Sequence, residues 1–247
     1  MVLEIQDLTK KFADKIVLSK VSLSLREGEI LFVLGKSGSG KSVLLKSIVG
    51  LLPIDSGKIW IQGEEVGEYS EEKFFKVRKQ CGMVFQNPAL FDSMNIFDNV
   101  AFGLSRQFPK ISSQERALRV KKSLALVGLV GIENKFPQEI SFGMQKRVSL
   151  ARTATLEPSI FLFDEPTTGL DPVTTTGINL LIKDMSRTLK TSSVIVSHDV
   201  SGALTIADRM AFIDQGHIIA IGTPIEIRSS ENKFVREFLN EAVELKW

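Results

Sequence analysis

The chain has 247 residues, 43% of them hydrophobic and 24% charged, with 31 Lys and Arg against 29 Asp and Glu and a formal net charge of +2. These are the proportions of a globular chain with room for one large domain or two small ones. The longest charge-free stretch, Gln80 to Phe91, falls far short of the roughly 20 apolar residues of a membrane-spanning helix, and the balanced charge supplies no basic field for nucleic acid. The single Cys81 excludes an intrachain disulfide, and His198 and His217 are too few for a zinc site. Met1-Val2-Leu3-Glu4 lacks the basic and apolar regions of a secretion signal, so the expected compartment is the cytosol.

In chain order, Val2 to Asp7 and Ile16 to Leu25 alternate as strands, and Ile30 to Leu34 is a continuous apolar run that suits a strand buried on both faces. Gly35 to Gly40 breaks the chain before Lys41 to Leu51 takes up helical spacing. Glu71 to Gln80, Ile96 to Leu104, Ser113 to Val127 and Gln145 to Leu156 read as helices, separated by Pro88, Pro109 and Pro137. A helical insertion is expected over about 87–145. Ile160 to Phe163 and Ser193 to Ser197 are buried-strand candidates with a helix, Pro172 to Leu189, between them. This alternation predicts an α/β core with a largely parallel sheet. A turn at Asp214 to His217 predicts a hairpin, and Lys233 to Val243 a closing helix within a helical tail, about 224–247. One domain over 1–247 accommodates all of it.

Gly35-Lys36-Ser37-Gly38-Ser39-Gly40-Lys41-Ser42 fits GxxxxGK[ST] between a strand and a helix. The glycines let backbone amides turn inward as an anion nest, at which the helix aims its positive end. Lys41 is the residue for the β and γ phosphates and Ser42 a magnesium ligand. The apolar run Ile160 to Phe163 ends in Asp164 and Glu165; strand alternation would send these carboxylates in different directions, Asp164 to the metal and Glu165 to the attacking water as general base.

Ile140-Ser141-Phe142-Gly143-Met144-Gln145-Lys146-Arg147 precedes that strand. Here the chain resembles the ATP-binding cassette (ABC) family, whose signature is Leu-Ser-Gly-Gly-Gln at the start of a helix. The resemblance spans nearly the whole chain. It implies a P-loop NTPase core of ABC type, with an N-terminal antiparallel β region and an inserted helical subdomain. It also implies ATP and magnesium as ligands. By the same resemblance Phe12 stacks on adenine, Gln86 at the end of a strand Gly82 to Phe85 reports between magnesium and a transporter, Asp171 signals across a dimer, and His198 reaches the γ phosphate. Ser141 and Gly143 keep the signature's hydroxyl and amide. Phe142 and Met144 depart from it, and Phe142 must either point away from nucleotide or crowd it.

Because the family sets the signature of one chain against the phosphate loop of another, a head-to-tail homodimer is implied, together with separate membrane permease subunits. The run Phe85 to Val100, Met144, Asp164 to Pro172 and Val235 to Leu239 resemble the Mla/MCE-type lipid transport ATPases. That implies phospholipid transport across a cell envelope, driven from the cytoplasmic face of the inner membrane, with an MCE-domain lipid-binding protein and a STAS-type regulatory subunit. Polar amino acid import and lipoprotein release or cell-wall remodelling share every motif. A non-transport cassette acting on ribosomes or DNA would carry two cassettes or a large insertion. The stretch Asn87 to Leu104, rich in apolar residues, is the expected docking surface for a membrane partner.

Overall fold

The computed structural model describes residues 1–66 and 70–244, with side chains through 240. Strands β1 (Leu3–Phe12), β2 (Lys15–Leu25), β4 (Ser56–Ile61) and β5 (Glu64–Glu65) form an antiparallel sheet in the order β2-β1-β4-β5. Strands β3 (Ile30–Leu34), β6 (Cys81–Val84), β7 (Ile160–Asp164), β8 (Ser192–Ser197), β9 (Arg209–Asp214) and β10 (His217–Gly222) form the second sheet, ordered β10-β9-β3-β8-β7-β6. It is parallel from β9 to β6 and closed at one edge by the antiparallel β9–β10 hairpin. The expected α/β architecture, largely parallel sheet and N-terminal antiparallel region are all present.

Alternate residues of each central strand serve two different cores. Leu31, Val33, Ile160, Leu162, Val194 and Val196 pack with helix α1 (Lys41–Ile48) and the antiparallel sheet. Ile30, Phe32, Leu34, Phe161, Phe163 and Ile195 face the opposite way. Their partners are residues of α3 (Ile96–Ala101), α5 (Ser113–Leu126), α6 (Phe142–Ala154), α7 (Pro172–Leu189) and α8 (Val200–Ile206). A strand covered on both faces has no polar side, which explains the unbroken apolar runs.

Several boundaries differ from the sequence reading. Strand β1 continues past Asp7, where a left-handed φ of 49° and register shifts interrupt the alternation. Helix α1 stops at Ile48, ahead of Gly50 at φ 64°. The helix expected over Ile96 to Leu104 divides into α3 and α4 (Leu104–Gln107). α6 starts at Phe142 rather than Gln145, with Ser141 as its cap, accepting from the Met144 amide. Strand β6 ends at Val84, so Gln86 lies in the loop beyond it. Strands β4 and β5 went unread. Helix α2 (Glu71–Gln80) lies where the sequence put it, and α9 (Pro224–Arg228) and α10 (Lys233–Glu244) close the chain. Residues 245–247 of the expected tail lie outside the described residues.

Candidate active site

The loops after β3, β6, β7 and β8 meet at the carboxyl ends of parallel strands, the usual ligand position in open α/β sheets. They border a cavity of about 790 Å³. Of the residues singled out from sequence, Lys36, Ser37, Gly38, Gly40, Lys41, Ser42, Gln86, Glu165 and His198 line it. Val17, Val43, Thr168, Val200 and Phe238 complete the wall.

The glycine loop is constrained at both ends. A Cβ at Gly35 would lie 2.4 Å from the Ile213 carbonyl oxygen. Gly40 adopts φ 105°, and a Cβ there would meet Leu18 Cδ2 at 2.7 Å. No other residue fits either position. The loop therefore stays tight enough to deliver α1 with Lys41 and Ser42 on its first turn. Lys41 Nζ donates to the carbonyls of Gly35 at 2.8 Å and Lys36 at 3.1 Å, and stands 3.4 Å from Glu165 Oε1.

Glu165 is the hub of the site. Its backbone takes a left-handed φ of 49° directly after β7. The two carboxylates take different partners, Asp164 meeting Ser42 and Glu165 meeting Lys41. Left-handed geometry costs a non-glycine residue on the order of 1 kcal/mol and persists where neighbours over-determine it. Here the Glu165 amide donates to the Val196 carbonyl. The side chain meets Lys41, accepts from Thr168 Oγ1 at 3.2 Å, and shares a 2.8 Å hydrogen bond with His198 Nδ1. Burial pushes the Glu165 pKa up, but His198, Lys41 and Thr168 outweigh burial and hold it below the usual carboxylate value. The same bond to Glu165 raises the pKa of His198, against burial and the Lys41 charge.

On the other side of Lys41, Ser42 Oγ donates to Asp164 Oδ1 at 2.7 Å, and Asp164 is 6% exposed. These are hard oxygen donors, the type that suits magnesium when phosphates supply the remaining ligands. No cluster of three His, Cys, Asp or Glu side chains capable of holding a metal occurs among the described residues.

Phe12, Ser141, Gly143 and Asp171 do not line the cavity. Phe12 is 44% exposed, with Lys10 Nζ 5.3 Å from its ring centre. Asp171 caps α7 by accepting from the Val173 and Thr174 amides, and its contacts to Thr174 depress its pKa. Phe142 leans along the chain's own surface: Lys146 Nζ lies 5.4 Å from its ring centre, and a Cβ at Gly169 would sit 3.5 Å from Phe142 Cε1. Thr168, Val17 and Phe238 had no role in the sequence reading; Thr168 lies three residues from Glu165, within reach of a carboxylate at a turn.

A family model described as ABC transporter matches residues 18–168. The chain belongs to the ABC transporter family. It is an ABC-type ATPase cassette, and its ligand is ATP. It is 42% identical over 238 residues to the probable ribonucleotide transport ATP-binding protein mkl of Mycobacterium tuberculosis, covering 96% of this chain and 66% of that one. It is 38% identical to the intermembrane phospholipid transport system ATP-binding protein MlaF of Haemophilus influenzae, covering 96% of this chain and 89% of the relative. Sulfate/thiosulfate and methionine import cassettes match at 38% and 39%. The dimeric post-hydrolysis structure of the cassette MJ0796, bound to ADP and Pi, superposes with a TM-score of 0.81 at 29% identity over 90% of this chain and 98% of that one.

Proposed function

We propose that this cassette hydrolyses ATP to drive phospholipid transport across a cell envelope, and that it works as a head-to-tail dimer beneath membrane permease subunits. The observation that carries the catalytic reading is the convergence of Lys41, Thr168 and His198 on the Glu165 carboxylate at the wall of a phosphate-loop cavity. The lipid is supported by likeness to MlaF over nearly that relative's whole length. Ribonucleotide transport, the cargo in the printed name of the mycobacterial relatives, is the second reading.

In this proposal the amides of Gly35 to Ser42, with Ser39 among them, cradle the phosphates, and Lys41 turns from its carbonyl partners to the β and γ oxygens. Ser42, Asp164 and Gln86 are the residues that would hold magnesium, whose charge would offset that of the phosphates. Glu165 stays ionised at neutral pH, accepts a hydrogen bond from the attacking water and polarises it toward the γ phosphorus. His198 holds Glu165 at 2.8 Å and presents its other nitrogen toward the γ phosphate. Water adds to phosphorus, the bond to the β-bridging oxygen breaks, and ADP and phosphate leave. Ser141 and Gly143 of one chain, exposed or half-buried at the head of α6, would complete the site of the other, while Phe12 stacks on adenine and Asp171 senses the partner.

No helix among the described residues is long and apolar enough to cross a membrane, and the cassette's proposed place is the cytoplasmic face of the inner membrane. The segment 87–145 would act as a helical subdomain reaching the permease, with 224–247 as a helical tail. An MCE-domain protein and a STAS-type subunit are the proposed further partners.

The experiment is reconstitution with the copurifying membrane subunits in proteoliposomes. ATP-dependent movement of labelled phospholipid, lost in Lys41→Ala, supports the reading. ATP-dependent movement of ribonucleotide instead of lipid would replace it.

A further inference from the structure

Two cations of α6 hold the loop that follows β6. Lys146 Nζ donates to the carbonyl of Gln86. Arg152 donates through Nη1 to the Ala89 carbonyl at 2.7 Å and through Nη2 to that of Pro88 at 2.9 Å. Lys146 is 3% exposed, and burial lowers its pKa while Glu165 partly restores it. Burying an ammonium is costly without a carboxylate partner, and among the described residues Lys146 forms no ion pair. Its head instead meets the main chain of Gln86 and the ring of Phe142. What it achieves is a direct tie between the signature turn and a residue that lines the cavity.

We propose that Lys146 is a positioning residue that locks Gln86 to α6, so that the stance of the signature turn sets where Gln86 stands in the ATP cavity of the same chain. Lys146 lies five residues beyond the Ser141 cap, about 7.5 Å along a stiff helix, and the Arg152 bonds stop the loop from pivoting about the first tie. A displacement at the head of α6 is therefore carried to the Gln86 carbonyl without slack. In a head-to-tail dimer the same tie runs from one nucleotide to the glutamine beside the other. The inference rests on the reading of Gln86 as a residue of the ATP site.

The test compares full-length wild type with Lys146→Met, Lys146→Arg and Gln86→Ala. The measurements are kcat and KM for ATP, ATP affinity by calorimetry, thermal melting, and amide hydrogen exchange over 85–91 and 141–147 with and without ATP. In wild type, ATP should change protection in both segments. Lys146→Met should bind ATP within about twofold of wild type, lose about tenfold in kcat, and lose the response in 85–91 while keeping that in 141–147. Lys146→Arg, which keeps a donor, should recover both kcat and the coupled response. Wild-type kcat and exchange in Lys146→Met, with Gln86→Ala impaired, would overturn the tie and leave the site intact. Wild-type kcat in Gln86→Ala would instead overturn the reading of Gln86 on which the tie depends. Lowered melting and lost coupling in both Lys146 variants would identify a packing role and overturn the proposal as well.

Discussion

His198 Nδ1 and Glu165 Oε2 stand 2.8 Å apart, joined at the ends of adjacent parallel strands although 33 residues separate them in the chain. The bond moves both groups toward their charged forms: His198 is raised from 6.5 and Glu165 lowered from 4.5. The His198 contribution to stability is complete below the unfolded histidine value and fades as pH rises through the raised folded value. That of Glu165 is complete above the unfolded carboxylate value and fades as pH falls through the depressed one. Both are fully present between about pH 4.5 and 6.5. The melting difference between wild type and His198→Ala should therefore be largest near pH 5.5 and shrink toward pH 8. A difference that stays constant from pH 5 to 8 would show that the pair is not charged in the folded protein.

The role proposed for Glu165 predicts that its carboxylate is needed for turnover and not for the shape of the site. Glu165→Gln keeps the contacts to Thr168 and Lys41 by size but polarises water poorly, so ATP binding should persist while kcat falls about a thousandfold. If each chain carries half of a composite site, as proposed, ATP held without hydrolysis should draw two chains together. Light scattering of Glu165→Gln should show mass doubling with saturating ATP and magnesium. A mass that stays monomeric well above saturation would remove the composite site.

What the sequence made legible was whatever short-range pattern controls. The glycine loop, Asp164-Glu165 and His198 follow continuous apolar runs, and a run buried on both faces ends at the edge of a parallel sheet. The places it hid are those where long-range packing decides. Asp7 and Glu165 take left-handed φ values that no local residue preference signals. The strand pairing of β4 with β1 links segments some fifty residues apart. The roles of Lys146 and Arg152 carry no local signal, because their carbonyl partners lie about sixty residues away.

Asn99 is another residue that the pattern hid. It is fully buried in α3. Its side chain accepts from the Phe91 amide and donates to the carbonyls of Phe91, Met94 and Asn95. Asn99→Ala takes the side-chain partner from the Phe91 amide and the Met94 carbonyl, while the carbonyls of Phe91 and Asn95 keep the amides of Met94 and Asn99, and should destabilise the protein by about 3 kcal/mol. Urea unfolding at constant pH measures it. A loss under about 0.5 kcal/mol would mean that water replaces the amide, and the turn is then held by its own backbone.

That turn presents the apolar stretch expected to meet a membrane partner, and the structure divides it. Ile96 is wholly buried and belongs to the core. Phe91 is 40% exposed, its ring 4.5 Å from that of Phe102, while Leu90, Met94 and Phe97 are half-buried. Phe91 and Met94 are thus held in place by Asn99 yet accessible, a patch that a partner helix can cover. Phe91→Ala removes partly exposed surface and should cost the isolated cassette about 1 kcal/mol or less, with basal hydrolysis unchanged. Assembly with the permease, read as the yield of copurified complex, should fall severalfold for Phe91→Ala and for Met94→Ala. Wild-type yield and transport in both variants would move the docking surface elsewhere. A sharp fall in melting temperature would assign Phe91 to the core, because a ring that only rests on Phe102 cannot contribute that much.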